Sequence, residues 1–216
     1  MKDHEVFQEI ARLGIVPVIA IDRVDDALPL ADALLEGGLP VIEITFRTRA
    51  AAEVIETISR QRPELLLGAG TVLTVKNLDA ARSCGAAFAV APGLNPRVVA
   101  RANEAGFPFV PGVVTPSDIE SALGLECTTL KFFPAEAAGG VSMLKALSAP
   151  YRHVGVRFVP TGGVKMGNLE SYLGLDTVAA VGGTWIATKD DIAAGRWDDI
   201  CLRCREAVDV VQRLRA

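Results

Sequence analysis

Lys131 stands in the apolar run TTLKFFP, residues 128 to 134, an amine where a strand would ordinarily carry a hydrocarbon. A charge taken out of water needs a partner, so apolar strands rarely accept an isolated cation. With a side-chain period of two, Thr129, Lys131 and Phe133 share one face, and Leu130 and Phe132 take the other. That pattern predicts an inward-facing lysine, with the leucine and phenylalanine turned toward covering helices. A lysine near pKa 10.4 is deprotonated in only about 4 parts in 10,000 at neutral pH, so amine catalysis requires apolar surroundings or nearby positive charge. An amine so placed can attack a ketone.

The run VIEITFRT, residues 41 to 48, supplies the complementary charge: Val41, Glu43, Thr45 and Arg47 fall on one face, Ile42, Ile44 and Phe46 on the other. Glu43 can balance Lys131 electrostatically, and the same carboxylate can relay protons in carbonyl chemistry. Arg47 offers a rigid fork suited to a substrate carboxylate. Thr71, directly after Gly68-Ala69-Gly70, can add a hydroxyl. Each residue also has a structural reading. Lys131 can snorkel or pair for stability alone, Arg47 can simply be exposed, and Thr71 can cap the next helix.

These side chains converge only if the elements carrying them do. Apolar runs centred near residues 18, 43, 67, 89, 109, 130, 159 and 181 recur about every 23 residues, the length of a strand, loop, helix and return. Between them, stretches such as RAAAEVIETISRQRP and TPSDIESALG carry apolar residues at helical spacing. The repeat predicts a single-domain α/β fold over residues 1–216, a (β/α)8 TIM barrel preceded by an N-terminal helix, EVFQEIARLG, that covers its bottom. A doubly wound dinucleotide fold would place G-x-G-x-x-G after the first strand, and IVPVIAIDRVDD has no glycine. Glycine and proline follow the strands in GAGT, APG, VPG, FFP, PTGG and VGG, which places the functional end at the C-terminal mouth. The pairs Gly162-Gly163 and Gly182-Gly183 follow the seventh and eighth runs, where barrels cradle phosphate on backbone amides, and Thr184 adds a hydroxyl.

Composition narrows the function classes. The chain has 216 residues, half of them apolar, and 22 Lys plus Arg against 26 Asp plus Glu give a net charge of -4. This disfavours a surface that condenses on nucleic acid or anionic lipid. No apolar run approaches a membrane span, and MKDHEVFQEI lacks the apolar stretch of an export signal, so the cytoplasm is the expected location. Four cysteines are too few for a disulfide scaffold; Cys201-x-x-Cys204 reads as one buried helix face, and Cys84 and Cys127 as small hydrophobes. His4 and His153 belong to no ligand cluster, so no metal site is expected.

The motifs VIEITFRT, GAGTVL, APG, VPGVVTP, TLKFFPAEAAGG, FVPTGGV and VGGTW run, in order, from about residue 13 to 210. In this the chain closely resembles the bacterial family of 2-keto-3-deoxy-6-phosphogluconate aldolase and 4-hydroxy-2-oxoglutarate aldolase. The resemblance implies a class I, metal-independent lyase of the Entner-Doudoroff pathway that needs no cofactor beyond a covalent lysine imine. By it, Lys131 forms the Schiff base and Glu43 is the acid/base. Arg47 and Thr71 hold the pyruvoyl carboxylate, Pro92 and Phe133 shape the pocket, and Thr161 borders it. Phosphate falls to Gly162, Gly163, Gly182, Gly183 and Thr184, where relatives often have serine. The implied partners are the phosphorylated keto-deoxy sugar acid, pyruvate, glyceraldehyde 3-phosphate and two further copies of the chain in a homotrimer. The galactonate-series phosphosugar is the alternative substrate. A barrel isomerase or decarboxylase using Lys131 only for electrostatic support, and a non-catalytic sugar-phosphate sensor, are rivals of other classes.

Overall fold

The structure, a computed structural model, describes residues 3–215. Helix α1 (Asp3–Leu13) precedes an alternation of short strands and helices. The strands are β1 (Ile15–Ile19), β2 (Val41–Thr45), β3 (Leu66–Gly70), β4 (Phe88–Val90), β5 (Phe109–Val110), β6 (Gly112–Val113), β7 (Thr129–Phe132), β8 (Arg157–Pro160) and β9 (Val181–Gly183). The helices between and after them are α2 (Ala27–Glu36), α3 (Ala51–Gln61), α4 (Val75–Ser83), α5 (Pro96–Glu104), α6 (Pro116–Gly124), α7 (Gly140–Ser148), α8 (Leu169–Leu173), α9 (Lys189–Ala193) and α10 (Trp197–Arg215).

All strand pairs are parallel. One sheet has the order β5-β4-β3-β2-β1-β9 and the other β6-β7-β8. Isolated parallel bridges, Phe158 with Val178 and Thr161 with Gly182, join the second sheet's β8 to the segment that ends in β9. At the opposite seam, β5 and β6 are separated only by Pro111, which has no N–H to continue a ladder. Its carbonyl still accepts from Lys131 N at 2.8 Å, so β5 pairs with β4 and β6 pairs with β7 on either side of one residue. The result is a curled parallel sheet with helices outside it.

The strands are short and, apart from the first residues of β7 and β8, buried along their length, as expected where both faces are covered. Outward residues such as Ile42, Ile44, Leu130 and Phe132 pack under the helices at 0% exposure. Local signals start several helices. Thr115 and Asp118 form a reciprocal capping box at α6, Asn95 caps α5 ahead of Pro96, and Thr188 with Asp191 caps α9. Cys201 and Cys204 lie on the buried face of α10 as free thiols, and burial, reinforced by Cys201, pushes the Cys204 thiol up to about 12. Ile10 of α1 lines, with Val16, Phe88, Val90, Val110, Thr129 and Val159, a cavity of about 20 Å³ that Glu43 also borders. Among the described residues, no helix is long and apolar enough to cross a membrane.

Candidate active site

The alternation in β7 turns Lys131 into the space between the strands, 5% exposed, while Leu130 and Phe132 on either side are fully buried. Glu43 reaches the same space from β2 at 3% exposure, and its Oε1 accepts from Lys131 Nζ at 3.5 Å. Neither charge is cheap to bury alone, because desolvating an ion costs several kcal/mol. Opposite sign and proximity offset that cost here. Gly70, at the end of β3, makes the arrangement sterically feasible: a Cβ there would lie 2.1 Å from Glu43 Oε1, so only glycine leaves room for the carboxylate. The Phe133 ring lies 5.7 Å from Lys131 Nζ, close enough for a cation–π contact, and a cis peptide joins Phe133 to Pro134. Thr161, 4% exposed at the end of β8, lines the small cavity that Glu43 also borders.

Arg47 follows β2 at the rim. Its Nε donates to Thr45 Oγ1 at 3.1 Å, and the Thr45 hydroxyl donates onward to the Ile19 carbonyl at 2.8 Å. This chain fixes the guanidinium near its root and leaves the terminal Nη groups as the outward fork. Arg47, Val18, Ala20, Thr184, Ala187, Thr188 and Lys189 line an open groove of about 250 Å³. Thus Arg47 and Thr184, assigned from sequence to opposite ends of a substrate, share one groove.

Thr71 is not a helix cap. That position at α4 belongs to Thr74, whose hydroxyl accepts from Asn77 N at 3.1 Å. Thr71 instead adopts φ +56°, a left-handed conformation that costs a β-branched residue about 1–3 kcal/mol. Pro92 lies half-buried in the bend after β4, next to Gly93, whose carbonyl accepts from Gly112 N at 3.2 Å. Among the described residues, Thr71 has no side-chain hydrogen bond to Lys131, Glu43 or Arg47.

After β8, Gly162 and Gly163 have φ values of +98° and +84°, which glycine adopts without the strain a Cβ would bring. They do not line the Arg47 groove. Gly182 and Gly183 lie within β9, paired with Val16 and Pro17, and Gly182 also bridges Thr161. The loop after β7 is stitched to the Gly162 turn by Ala135 N to Thr161 O at 2.8 Å and Glu136 N to Gly162 O at 3.0 Å. The Tyr172 hydroxyl donates a short hydrogen bond to Glu136 Oε1, and burial, together with that carboxylate, raises the Tyr172 pKa.

Sequence reasoning gave no role to Thr45, Glu136, Tyr172, Lys189 or Asp191. Thr45 was visible on the Glu43 face of VIEIT, and T-x-x-D at residues 188–191 is a capping signature. Nothing local marks the Glu136–Tyr172 contact. Among the described residues, no group of three or more His, Cys, Asp and Glu side chains could hold a metal ion; the side chain of His4 lies outside the described residues.

The family model for KDPG and KHG aldolase matches residues 6–203. A 2-dehydro-3-deoxy-phosphogluconate aldolase of Haemophilus influenzae is 45% identical over 209 residues, covering 97% of this chain and 98% of its own. A KDPG aldolase of Legionella pneumophila, solved with pyruvate captured at low pH as a covalent carbinolamine intermediate, superposes with a TM-score of 0.89 at 40% identity, over 95% of this chain and 97% of its own. The 2-keto-3-deoxy-6-phosphogluconate aldolase of Zymomonas mobilis, solved with 3-phosphoglycerate, gives 0.85 at 38% identity, over 93% of this chain and 94% of its own.

Proposed function

The chain belongs to the KDPG and KHG aldolase family, and on that premise we propose that it cleaves 2-keto-3-deoxy-6-phosphogluconate reversibly to pyruvate and glyceraldehyde 3-phosphate through an imine on Lys131. The observation that carries the reading is a buried lysine 3.5 Å from a buried glutamate in the space between the strands. The covalent pyruvate adduct of the Legionella relative supports the chemistry, and the names of the relatives favour the gluconate over the galactonate series. Activity on 4-hydroxy-2-oxoglutarate is within the range of the family's name.

Lys131 Nζ, as the free amine, attacks the C2 ketone to give a carbinolamine; loss of water leaves a protonated imine that draws electrons from C3. Glu43 moves the protons of that dehydration. It then takes the proton of the C4 hydroxyl as the C3–C4 bond breaks, its electron pair passing to the imine to form an enamine. Glyceraldehyde 3-phosphate departs. Protonation at C3 and hydrolysis of the imine release pyruvate and restore the amine. Arg47 and Thr71 hold the pyruvoyl carboxylate, with Pro92, Phe133 and Thr161 shaping the pocket around it. The Gly162-Gly163 and Gly182-Gly183 segments and Thr184 receive the phosphate; the phosphorylated ligand of the Zymomonas relative supports an anion site in this family.

The same reading treats residues 1–216 as one domain and the two sheets as arcs of one closed eight-stranded barrel, with β5 and β6 as a single interrupted strand. The bridges at Phe158 and Thr161 and the one-residue break at Pro111 support closure. It treats α1 as the barrel's lower cover and the assembly as a homotrimer, which sedimentation velocity checks.

Borohydride reduction in the presence of pyruvate tests the assignment. The expected result is one reduced adduct, located by peptide mapping on Lys131. Modification confined to Lys76, Lys145, Lys165 or Lys189 rejects the role given to Lys131, and absence of any adduct favours a barrel enzyme of another class.

A further inference from the structure

The groove beside Arg47 contains a second cation that the reaction as derived does not use. Lys189, the first residue of α9, lines it together with Arg47 and Thr184. Its Nζ lies 3.0 Å and 3.2 Å from the two carboxylate oxygens of Asp22, in the turn after β1. The ion pair therefore spans from the β1 end of the groove to its β9 end. Both partners are well exposed, with side chains 55% and 65% accessible, so the pair adds little stability and is easily exchanged. The backbone under Lys189 is held firmly: the Thr188 N–H and hydroxyl both donate to the buried Asp191 carboxylate, which also accepts from Arg196 and Arg203. A flexible ammonium on a fixed base, facing a groove that already holds a guanidinium and a threonine hydroxyl, is suited to closing on an anion.

We propose that Lys189 is a specificity-determining residue that trades Asp22 for the terminal phosphate of a substrate seated against Thr184. This rests on the aldolase reading above and names what that site selects. At neutral pH a phosphate monoester carries nearly twice the charge of a carboxylate, and attraction to a cation at fixed distance scales with that charge. Lys189 therefore favours phosphorylated over purely carboxylic ligands, and Asp22 sets the threshold by competing for the ammonium.

The test compares wild type, Lys189→Ala and Asp22→Asn. The expected result is a KM for 2-keto-3-deoxy-6-phosphogluconate raised about fivefold by Lys189→Ala, the upper range for an exposed charge pair. Its kcat and the inhibition constant for pyruvate, which has no phosphate, stay within about twofold, and Asp22→Asn lowers the same KM. Raising the salt to about 0.5 M narrows the differences by screening. An unchanged KM in Lys189→Ala, an equal loss toward pyruvate, or a rise in KM for Asp22→Asn overturns the proposal. Calorimetric titration with inorganic phosphate separates this from the aldolase reading. A wild type without lyase activity defeats that reading alone, whereas phosphate binding unaffected by Lys189→Ala defeats the role of Lys189 whatever the enzyme turns over.

Discussion

Glu43 and Lys131 depend on each other in two ways, and the dependences can be separated. As a buried pair, each cancels the cost of the other, so removing one partner exposes a penalty of about 3–5 kcal/mol that removing both does not. Lys131→Met is therefore expected to abolish turnover and to lower the melting temperature, and the double variant Lys131→Met/Glu43→Gln is expected to recover most of the lost stability. Thermal melts of the four members of the cycle check this; additive losses would mean that the two side chains do not interact. The proton relay proposed for Glu43 makes a different demand. Glu43→Gln is expected to slow carbon–carbon cleavage about 100-fold or more while pyruvate is still retained, read by single-turnover kinetics beside pyruvate binding. Both residues were legible in the sequence because period-two strands force a choice of face, and a charge within LKFF or VIEIT has only one sensible direction. The Glu136–Tyr172 contact was not legible: its partners are 36 positions apart, one in the loop after β7 and the other on α8, and they meet only in the folded chain.

Elements position the site through a few polar anchors, of which Asp191 is the most heavily used. Its carboxylate accepts from Arg196 at 2.7 Å, from Arg203 at 2.6 Å and from Thr188 Oγ1 at 2.7 Å, tying the start of α9 to α10. Burial alone would raise its pKa. The hydrogen bonds from Thr188, Arg196 and Arg203 outweigh burial and hold the carboxyl far below the usual carboxylate range. A depressed folded-state pKa means stability that is fully present above the unfolded value, about 3.9, and that is lost as pH falls toward the folded value. Asp191→Asn is expected to cost about 2–3 kcal/mol near neutrality, less than a fully buried pair because Arg196 is 43% exposed. The gap to wild type should hold from about pH 7 to pH 5 and close below about pH 4, measured by urea unfolding across that range. A gap that widens in acid would contradict the sign. The short helices α8 and α9 show where element-level reading fails: five residues make little more than one turn, too few to display a period. The break between β5 and β6 was hidden for the opposite reason, since Pro111 interrupts an apolar run whose hydrophobic pattern continues past it.

At the scale of the whole molecule, the site is a polar end set on an apolar column. Ile10, Val16, Phe88, Val90, Val110 and Val159 fill the space on the α1 side, leaving about 20 Å³ beside Glu43, roughly enough for one water molecule. Strand alternation turns every second side chain into the space between the strands, which must then be filled. It could not say which α1 side chain meets them, since that depends on the angle of a helix outside the repeat. Ile10, 3% exposed, is that side chain. Truncating it should enlarge a void that the strands are too rigid to close, so Ile10→Ala is expected to cost about 2–4 kcal/mol, and Ile10→Val about 1 kcal/mol. Denaturant titration should show a lower midpoint at unchanged slope. Because Glu43 lines the same cavity, water admitted from below would find a carboxylate to bind, and kcat should fall more in Ile10→Ala than in Ile10→Val although residue 10 lies away from the groove of Arg47. If Ile10→Ala loses less than about 0.5 kcal/mol, as an ordinary surface change does, α1 does not seal the space between the strands and the relay proposed for Glu43 is not isolated from solvent on that side.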